Sequence, residues 1–342
     1  MKKLTCLLWT LVLVLTLTGC QQEPPTEELS LFAMDTYMTL SATGENGKAA
    51  VTEVSQTINA LEQHMSRTLE GSDVSLLNEQ SHGRLGGDTD QLLRLAVAYS
   101  EETGGSFDPT IAPLVDLWGI TSDDPHVPTQ SEIDALLPLV GSGHIQWSGN
   151  EVTLDEGCAV DLGGIAKGYA SDKAAAVLTE AGLTRACANL GGNVYVWSSS
   201  NSQPWNVGIQ DPNDPQGWVC TLSLDDHFVV TSGGYQRNFV QDGTVYQHII
   251  DPKTGSAVGS DLTSVSIITR YDADKHEGTR ADAYSTALYV MGMDEAIAFW
   301  REKGDFDMVL VTADGCVLYT EGLSDRFTEV KDSNYVYQQL TA

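Results

Sequence analysis

The chain has 342 residues, and its 47 Asp and Glu residues outnumber its 18 Lys and Arg residues, so its formal net charge is −29. Binding to nucleic acids or to anionic lipid headgroups needs clustered Lys and Arg side chains, which an acidic surface of this kind does not provide. We therefore expect no nucleic-acid binding and no attachment to membranes through surface charge.

The N-terminus has the pattern of a secretion signal that ends in a lipidation site. Two lysines precede an apolar run over residues 4–17, which is too short for a comfortable transmembrane helix, and small residues then precede Cys20. The segment resembles a bacterial lipobox. We expect a signal peptide over residues 1–19 and a lipidated Cys20, with an ordinary cleaved signal and an incidental cysteine as the alternative.

Processing at this site would define the mature protein. The prolines and glutamates of residues 20–30 are typical of a solvated tether, which leaves a domain over residues 31–342. Loss of two lysines and no acid would change the formal net charge from −29 to −31. The lipid anchor would place the domain on the extracytoplasmic face of a bacterial membrane.

Several segments have the periodicity or the end signals of helices. Val51, Val54 and Ile58 fall on one helical face, and Thr129 and Glu132 have the spacing of a capping box. Adjacent glycines after residue 102 indicate a helix end. The predicted helices cover residues 48–65, 90–102, a short segment after 129, a segment from a glycine turn near 166 to 182, 281–290 and 294–302.

Short β-like runs dominate the second half of the chain. The predicted strands cover residues 194–197, 205–209, 228–231, 245–250, 264–268, 308–311 and 317–319. Together with the helices, they predict an α+β fold in which helices flank mixed or antiparallel sheets. The fold would form one large domain or two intimate lobes, because no low-complexity linker divides the chain.

The most distinctive segment covers residues 160–170, where an apolar run, two adjacent glycines and a helix start follow one another. The pattern predicts a short buried strand, a glycine turn and the first turn of a helix. Glycines allow a ligand to approach closely, and the free N–H groups of a helix start attract anions. With the positive charge of Lys167, the segment predicts an anion site, although such turns also serve packing alone.

Other segments combine a turn or a helix start with polar groups that a plain core does not need. Within the last of them, Asp282 and Thr286 are four residues apart and therefore lie on one helix face. The segments cover residues 34–36, 105–110, 189–193, 248–255 and 281–288. Their combination is more specific than any one of them.

Taken in order, these segments and the glycine turn resemble the ApbE family of flavin transferases, which move FMN from FAD onto a protein. The likeness runs from about Phe32 to the last strands. It includes the Ser-acid-apolar-Ser-x-Leu-Asn run of residues 72–78, the Leu-Trp-Gly of 117–119 and the Ser-Gly-x-Tyr element of 232–235. The resemblance implies an ApbE-like fold and delivery of the FMN phosphate to a Thr or Ser hydroxyl, with release of AMP.

The resemblance also implies a magnesium site and a base. The Asp282 carboxylate, the Thr286 hydroxyl and the backbone carbonyl of Gly164 would bind Mg²⁺, which prefers hard oxygen ligands and keeps waters or phosphates in its shell. Asp282 and His248 would be the catalytic residues, with His248 as the general base. The competing interpretations are a helix N-cap for Asp282 and a structural histidine for His248.

FAD would be the substrate, and the resemblance assigns residues to it. The predicted FAD-binding residues are Met34, Thr68, Ser106, Phe107, Asp108, Asp161 and Lys167. Burial in the core is the alternative for Met34 and Phe107, and Asp161 would otherwise brace the glycine turn. Some relatives stack an aromatic residue on the flavin at the position of Thr68, so the stacking there is lost or comes from another residue.

The acceptors implied by the resemblance are exported or membrane-bound flavoprotein subunits of electron-transfer complexes. Two other functions fit the same residues. A metal-dependent FAD pyrophosphatase would use water in place of the acceptor hydroxyl, and a non-catalytic flavin-binding lipoprotein would hold FAD without turnover.

Four cysteines remain after the lipidation site, at positions 158, 187, 220 and 316. They lack the CxxC spacing that is typical of zinc sites, so a zinc site is not expected. A disulfide and buried free thiols both stay open, because spacing does not choose between pairs.

Overall fold

The structure, a computed structural model, describes residues 24–235 and 237–342. The predicted signal peptide, Cys20 and the first residues of the predicted tether lie outside these ranges. Among the helices of the described ranges, none is both long enough and apolar enough to cross a membrane.

Helices occupy both halves of the described chain. The α-helices are α1 Gly47–Met65, α2 Asp73–Gln80, α3 Gly87–Glu102, α4 Ala112–Trp118, α5 Gln130–Leu136, α6 Ala166–Glu180, α7 Glu277–Met291 and α8 Met293–Lys303. Short 3₁₀ helices cover Leu137–Leu139, Ser142–His144 and Glu321–Leu323. The capping box predicted at Thr129 and Glu132 is present at the start of α5.

The strands form one large sheet and three small ones. They are β1 Thr26–Ala33, β2 Thr36–Thr43, β3 His82–Arg84, β4 Ile145–Ser148, β5 Glu151–Leu154, β6 Arg185–Asn189, β7 Asn193–Ser198, β8 Trp205–Asp211, β9 Asp214–Leu224, β10 His227–Ser232, β11 Asn238–Gln241, β12 Thr244–Gln247, β13 Leu262–Arg270, β14 Asp307–Thr312, β15 Cys316–Thr320, β16 Phe327–Glu329 and β17 Val336–Leu340. The large sheet has the order β1-β2-β6-β7-β10-β13-β14-β15-β17. Its pairs are antiparallel except for β15 with β17, so the sheet is mixed.

The large sheet is covered on both faces. Phe228 and Ile267 point into the core shared with α1, α6 and α7, whereas their neighbours Val229 and Ile268 point into a second core shared with β8 and β9. Successive side chains of a strand point to opposite faces, so each inner strand contributes to both cores. The layers are therefore helices, the large sheet and the sheet β16-β9-β8, which confirms the predicted α+β fold of mixed sheets flanked by helices.

The predicted tether differs from the structure at its C-terminal end. Residues 26–30 belong to β1, which pairs along its whole length with β2. Leu29 and Leu31 lie on one face of β1 and pack against the main core, opposite Leu40 and Met38. The glutamates beside them made the segment resemble a solvated linker, and the described domain begins before residue 31.

Most predicted elements are present, with shifted ends. Helix α7 begins at Glu277 and not at 281, because the side chain of Asp172 in α6 caps its first turn. Strand β9 was not predicted, since Asp, Pro and Gly occupy its first positions. The predicted strand over 245–250 ends at Gln247, and Ile250 makes only an isolated bridge with Ala257.

Residues 160–162 lack the strand predicted there, although Val160 and Leu162 are buried and Asp161 is partly buried. Instead, Asn78 in α2 takes the place of a neighbouring strand. Its Nδ2 donates to the Val160 carbonyl oxygen at 2.8 Å, and its Oδ1 accepts from the Val160 N–H at 2.7 Å. The next N–H, that of Asp161, donates to the Pro109 carbonyl oxygen at 2.7 Å. The approach to the glycine turn is thus held by a side chain and a loop.

Helices α6 and α7 cap each other at a close crossing. The Gly168 N–H in the first turn of α6 donates to Asp282 Oδ2 of α7 at 2.7 Å. The Gly278 and Thr279 N–H groups in the first turn of α7 donate to the two oxygens of Asp172 of α6 at 2.7 and 2.9 Å. N–H groups in a first helical turn have no partner within their own helix. Each helix therefore carries a Gly-x-x-x-Asp sequence whose aspartate satisfies the start of the other.

We expect Gly168→Ala to lower the free energy of unfolding by about 2–4 kcal/mol, because overpacking and a lost hydrogen bond add. A methyl group at Gly168 would lie 2.4 Å from the Gly278 carbonyl oxygen, which is backbone and has little room to move. Urea denaturation would measure the change. Gly87→Ala in α3 is the control, since its methyl group would meet open space; equal destabilisation by both variants would contradict the close crossing.

Candidate active site

One large cavity of about 1110 Å³ opens between the glycine turn, α7, the β1–β2 turn and the end of the sheet sandwich. It brings together every site residue that the sequence predicted in the described chain. The residues that line it include Met34, Thr68, Ser106, Phe107, Asp108, Asp161, Gly164, Lys167, His248, Asp282 and Thr286. Segments that are up to about 250 residues apart in sequence thus meet in one cavity. Its volume is slightly above the usual range of about 300–1,000 Å³ for small-molecule sites.

The predicted cation ligands lie where the glycine turn meets α7. A methyl group built on Gly164 would lie 3.7 Å from Thr286 Oγ1 and 3.3 Å from the Phe107 ring. Asp282 is only 5% exposed, and one of its oxygens accepts the Gly168 N–H. Thr286 Oγ1 lies 3.3 Å from Ser232 Oγ. The turn and the helix are therefore close enough to share one ligand.

This donor set suits a hard cation. Burial raises the pKa of Asp282, while the positive charge of Lys167 and the Gly168 N–H act in the opposite direction. Within the described residues, no group of three or more His, Cys, Asp or Glu side chains could hold a metal. One carboxylate, one hydroxyl and one carbonyl instead fit Mg²⁺, which completes its shell with water and substrate phosphates.

The start of α6 is not a free anion cradle, contrary to the simplest interpretation of the glycine turn. The Gly168 N–H is taken by Asp282, and the Ala166 N–H donates to the Leu162 carbonyl oxygen at 2.8 Å. Lys167 lies between these two residues in the sequence. Its side chain lines the cavity and supplies the positive charge at this position. Attraction of an anion here thus depends more on a side-chain charge than on unpaired N–H groups of the helix.

His248 follows β12 and is held by one carbonyl group. Its backbone N–H and its Nδ1 both lie 3.1 Å from the Arg237 carbonyl oxygen. A carbonyl oxygen can only accept, so Nδ1 carries the proton and Nε2 keeps its lone pair. Loss of hydration lowers the pKa of His248 to about 4, and the charges of Arg237 and Lys167 act in the same direction. The ring is therefore a neutral proton acceptor at neutral pH.

The turn that follows α3 supplies a wall of the cavity. Phe107 is buried against Gly164, and Ser106 Oγ accepts from Lys253 Nζ at 3.2 Å. Asp108 accepts hydrogen bonds from Ser100, Thr110 and Ser142. Its carboxylate thus braces the turn, and its binding to FAD stays a prediction.

Asp161 also braces its own loop. Its Oδ1 accepts the Gly163 N–H at 2.7 Å, and its Oδ2 pairs with Arg67 Nε at 2.7 Å. Arg67 pairs in addition with Asp116 at 2.7 Å and lines the cavity. Asp161 therefore carries out the bracing role that was its alternative, and it also fixes a guanidinium at the wall. Neighbouring Thr68 is exposed, and its hydroxyl lies 3.1 Å from Ser66 Oγ.

The β1–β2 turn is strained and tied down at both residues. Met34 and Asp35 have φ values of 47° and 57°, which non-glycine residues rarely adopt. The Met34 N–H donates to Glu62 Oε1 at 2.7 Å, and Arg237 pairs with Asp35 Oδ2 at 2.7 Å. Arg237 thereby connects this turn to the carbonyl group that orients His248.

Several cavity residues were not predicted from the sequence. Arg67 and Arg237 lie outside the motifs that signalled the site. Asn193 ends the predicted segment 189–193, but no role was given to it; it is 2% exposed, and its side chain is a hydrogen-bond partner of the Asp282 carboxylate. Trp218 is 53% exposed at the cavity wall, where its ring packs on Gly208. The recurrence of Gly-x-x-x-Asp at residues 168–172 and 278–282 is the signal that would have found Asp172.

The four cysteines of the described chain are free thiols. Cys158 and Cys220 are buried, and Cys187 and Cys316 are partly buried. The sequence left a disulfide and free thiols open, and the structure has free thiols.

Comparison with known proteins agrees with the geometry of the cavity. The ApbE family model matches residues 34–310. The chain is 33% identical over 313 residues to a FAD:protein FMN transferase of Treponema pallidum. The aligned region covers 85% of this chain and 84% of that protein. The crystal structure of the ApbE protein from Thermotoga maritima aligns with a TM-score of 0.80 and 30% identity, over 87% of this chain and 98% of that one. The apo crystal structure of the flavinyl transferase ApbE from Pseudomonas stutzeri aligns with a TM-score of 0.77 and 25% identity. The alignment covers 89% of this chain and 98% of that one.

We expect the free energy of unfolding to fall in acid, because the pKa of His248 is lowered in the folded chain. Its pKa is about 4 in the folded chain, whereas the ordinary value of 6.5 applies to the unfolded chain. Between these pH values the folded state therefore binds fewer protons than the unfolded state. The neutral ring therefore contributes to the free energy of unfolding. This contribution is complete above pH 6.5, and up to about 3 kcal/mol of it is lost as the pH falls towards 4. Urea denaturation at several pH values would measure it, and His248→Gln should have a shallower slope. Identical slopes would contradict the assigned pKa.

Proposed function

The chain belongs to the ApbE family and is a transferase. We propose that it transfers FMN from FAD to a Thr or Ser hydroxyl of an acceptor flavoprotein. The reaction would need magnesium and would release AMP. Two of its relatives, from Treponema pallidum and Klebsiella pneumoniae, are FAD:protein FMN transferases. The observation that carries the proposal is the cavity, which joins a neutral histidine, a buried carboxylate and a lysine from distant segments.

In the proposed reaction, the oxygen of the acceptor hydroxyl attacks the phosphorus of the FMN phosphate. The bond from this phosphorus to the bridging oxygen breaks, and AMP leaves with that oxygen. His248 Nε2 accepts the hydroxyl proton, because Nδ1 is already protonated towards the Arg237 carbonyl oxygen. Fixing this tautomer in advance removes one rearrangement from the reaction.

Asp282, Thr286 and the Gly164 carbonyl would hold the magnesium ion. When bound, the ion supplies positive charge that stabilises the diphosphate and the leaving phosphate. Lys167 adds a second positive charge, which already acts on Asp282 and His248. The residues of the chain therefore bind the anionic part of FAD at the end of the cavity that contains the base.

The remaining predicted residues would bind the rest of FAD. Met34, Ser106 and Phe107 line the cavity wall between the strained turn and the glycine turn. Arg67, fixed by two carboxylates, offers a planar guanidinium beside Thr68, where the aromatic residue of some relatives is missing. We assign the flavin end of FAD to this part of the cavity.

We further propose that lipidation of Cys20 holds the domain on the extracytoplasmic face of a bacterial membrane. The lipobox pattern supports this location, and acceptor flavoproteins of membrane electron-transfer complexes would then lie nearby. An anchor raises the local concentration of enzyme and acceptor without adding a contact between them.

Incubation with FAD, Mg²⁺ and an exported acceptor flavoprotein should attach FMN covalently to the acceptor, as measured by mass spectrometry. We expect His248→Ala to lower the transfer rate by about 10²–10⁴-fold through loss of the base. Asp282→Asn and removal of Mg²⁺ with EDTA should each abolish most of the transfer. His82→Ala, at an exposed histidine outside the cavity, should transfer normally.

Release of free FMN and AMP without an adduct would contradict transfer in favour of the FAD pyrophosphatase. Tight FAD binding with neither product would indicate the non-catalytic flavin-binding protein. Both outcomes are read from the same reaction mixture.

Cys20→Ser should move the protein from the membrane fraction to the soluble extracytoplasmic fraction, as measured by fractionation and immunoblotting. The purified variant should keep its transfer activity, because residue 20 precedes the first strand. Retention of the variant in membranes would contradict anchoring through this cysteine.

A further inference from the structure

Ser232 ends β10 and begins the Ser-Gly-x-Tyr element, which the sequence singled out and the proposed function leaves without a role. It pairs with Val265 of β13, which fixes its backbone at the end of the large sheet. Phe228 and Val230 of the same strand point into the core shared with α7. Side chains two residues apart in a strand point to the same face. The Ser232 hydroxyl therefore faces α7, and the residue also lines the cavity.

Three hydroxyl groups, those of Ser232, Ser285 and Thr286, form a network between β10 and α7. Ser285 Oγ donates to the Asp282 carbonyl oxygen at 2.9 Å. Ser232 Oγ lies 2.8 Å from Ser285 Oγ and 3.3 Å from Thr286 Oγ1. Ser285 is fully buried, so water does not compete for its hydrogen bonds. The hydroxyl network thus joins a buried serine to Thr286, which is a proposed cation ligand.

The protons of the hydroxyl network have one consistent direction. A carbonyl oxygen can only accept, so the proton of Ser285 is used on Asp282. Because a hydroxyl has one proton and two lone pairs, Ser285 Oγ must accept from Ser232. The proton of Ser232 is then used as well, and Thr286 must donate to Ser232 Oγ. This direction turns the Thr286 proton towards the sheet and leaves its lone pairs for a ligand.

The position of Thr286 makes the direction of its proton important. Thr286 Oγ1 lies 3.7 Å from a methyl group built on Gly164, where the glycine turn meets α7. An oxygen binds a cation through a lone pair, and a proton in the same direction would prevent this. Threonines in helices often donate to the carbonyl four residues earlier, but here that carbonyl, of Asp282, already accepts the Ser285 hydroxyl. Ser232 is therefore the group that takes up the Thr286 proton.

We propose that Ser232 is a positioning residue that orients the Thr286 hydroxyl, so that Thr286 Oγ1 presents a lone pair to a divalent cation. This inference rests on the proposed function only in placing a hard cation at Thr286. Ser232 acts through Thr286 and is not itself a ligand of the cation.

The experiment uses Mn²⁺ as a probe of the cation site, and the paramagnetic resonance signal of the free ion measures its binding. The purified protein is titrated without FAD and again with saturating FAD. We expect Ser232→Ala to weaken Mn²⁺ binding by about 3-fold to 10-fold, as for the loss of one neutral hydrogen bond. Competition with Mg²⁺ should give the same ratio between variant and parent.

A double-mutant cycle with Thr286→Val tests whether Ser232 acts through Thr286. Thr286→Val removes the proposed ligand oxygen and keeps the branched shape of the side chain. In that background, Ser232→Ala should change Mn²⁺ affinity by less than about 2-fold, because no hydroxyl remains to be oriented. A general loosening of the site would instead weaken binding in both backgrounds, and thermal melting of every variant tests for loss of folding.

Ser285→Ala tests the direction of the protons by a second route. It frees the Ser232 proton, which can then point at Thr286 Oγ1 and turn the Thr286 proton into the cavity. Mn²⁺ binding should weaken in the parent and change by less than about 2-fold in the Ser232→Ala background. Ser266→Ala is the control and should bind Mn²⁺ as the parent does, because it breaks a hydroxyl pair of 2.8 Å with Thr231, outside the hydroxyl network.

Four outcomes would overturn the inference. The first is parental Mn²⁺ affinity of Ser232→Ala, and the second is parental affinity of Ser285→Ala. The third is an equal loss by Ser232→Ala in the parent and in Thr286→Val, which would make Ser232 a ligand or a general support of the fold. The fourth is a parent that binds no Mn²⁺ with or without FAD. The expected losses of Mn²⁺ binding, without any FMN transfer by the parent, would support Ser232 and refute the proposed function.

Discussion

The close crossing of α6 and α7 is the contact on which the site depends. Two glycines allow the helices to approach, and Asp172 and Asp282 each satisfy backbone N–H groups at the start of the opposite helix. Helix α6 begins directly after the glycine turn, and α7 carries Asp282 and Thr286. A shift of one helix against the other would therefore separate the predicted cation ligands as well as break buried hydrogen bonds.

Three positively charged side chains line the cavity of this strongly acidic protein, beside five carboxylates. Lys167, Arg67 and Arg237 line it, although the chain as a whole carries a formal net charge of −29. Arg67 and Arg237 are paired with carboxylates, which fixes their positions as well as reducing their local charge. A neutral His248 at the same wall follows from desolvation and from the charges of Arg237 and Lys167. The proposed binding of an anion and the proposed acceptance of a proton would thus use one arrangement.

Sequence and structure agree most closely where a motif is short and local. The capping box at Thr129 and the helix over α1 are set by neighbouring residues, so periodicity and spacing predicted them. Asp108 and Asp161 were predicted as ligands of FAD, and the structure shows their carboxylates bonded to protein groups. Local sequence could not separate these roles, because a carboxylate in a turn can accept hydrogen bonds either from its own loop or from a ligand.

The sequence by itself determined the family, the α+β class and the motif residues that meet in the cavity, since each motif combines residue types with a defined chemistry. Only the tertiary structure decided the partners of those residues. It assigned Asp282 to the first turn of α6 and Asn78 to the backbone of Val160, and it brought Arg237 to His248. It also buried Asn193 beside Asp282, where its side chain is a hydrogen-bond partner of that carboxylate. The physical reason is that such contacts join segments far apart in the chain, and spacing along a sequence carries no information on which distant groups become neighbours when the core closes.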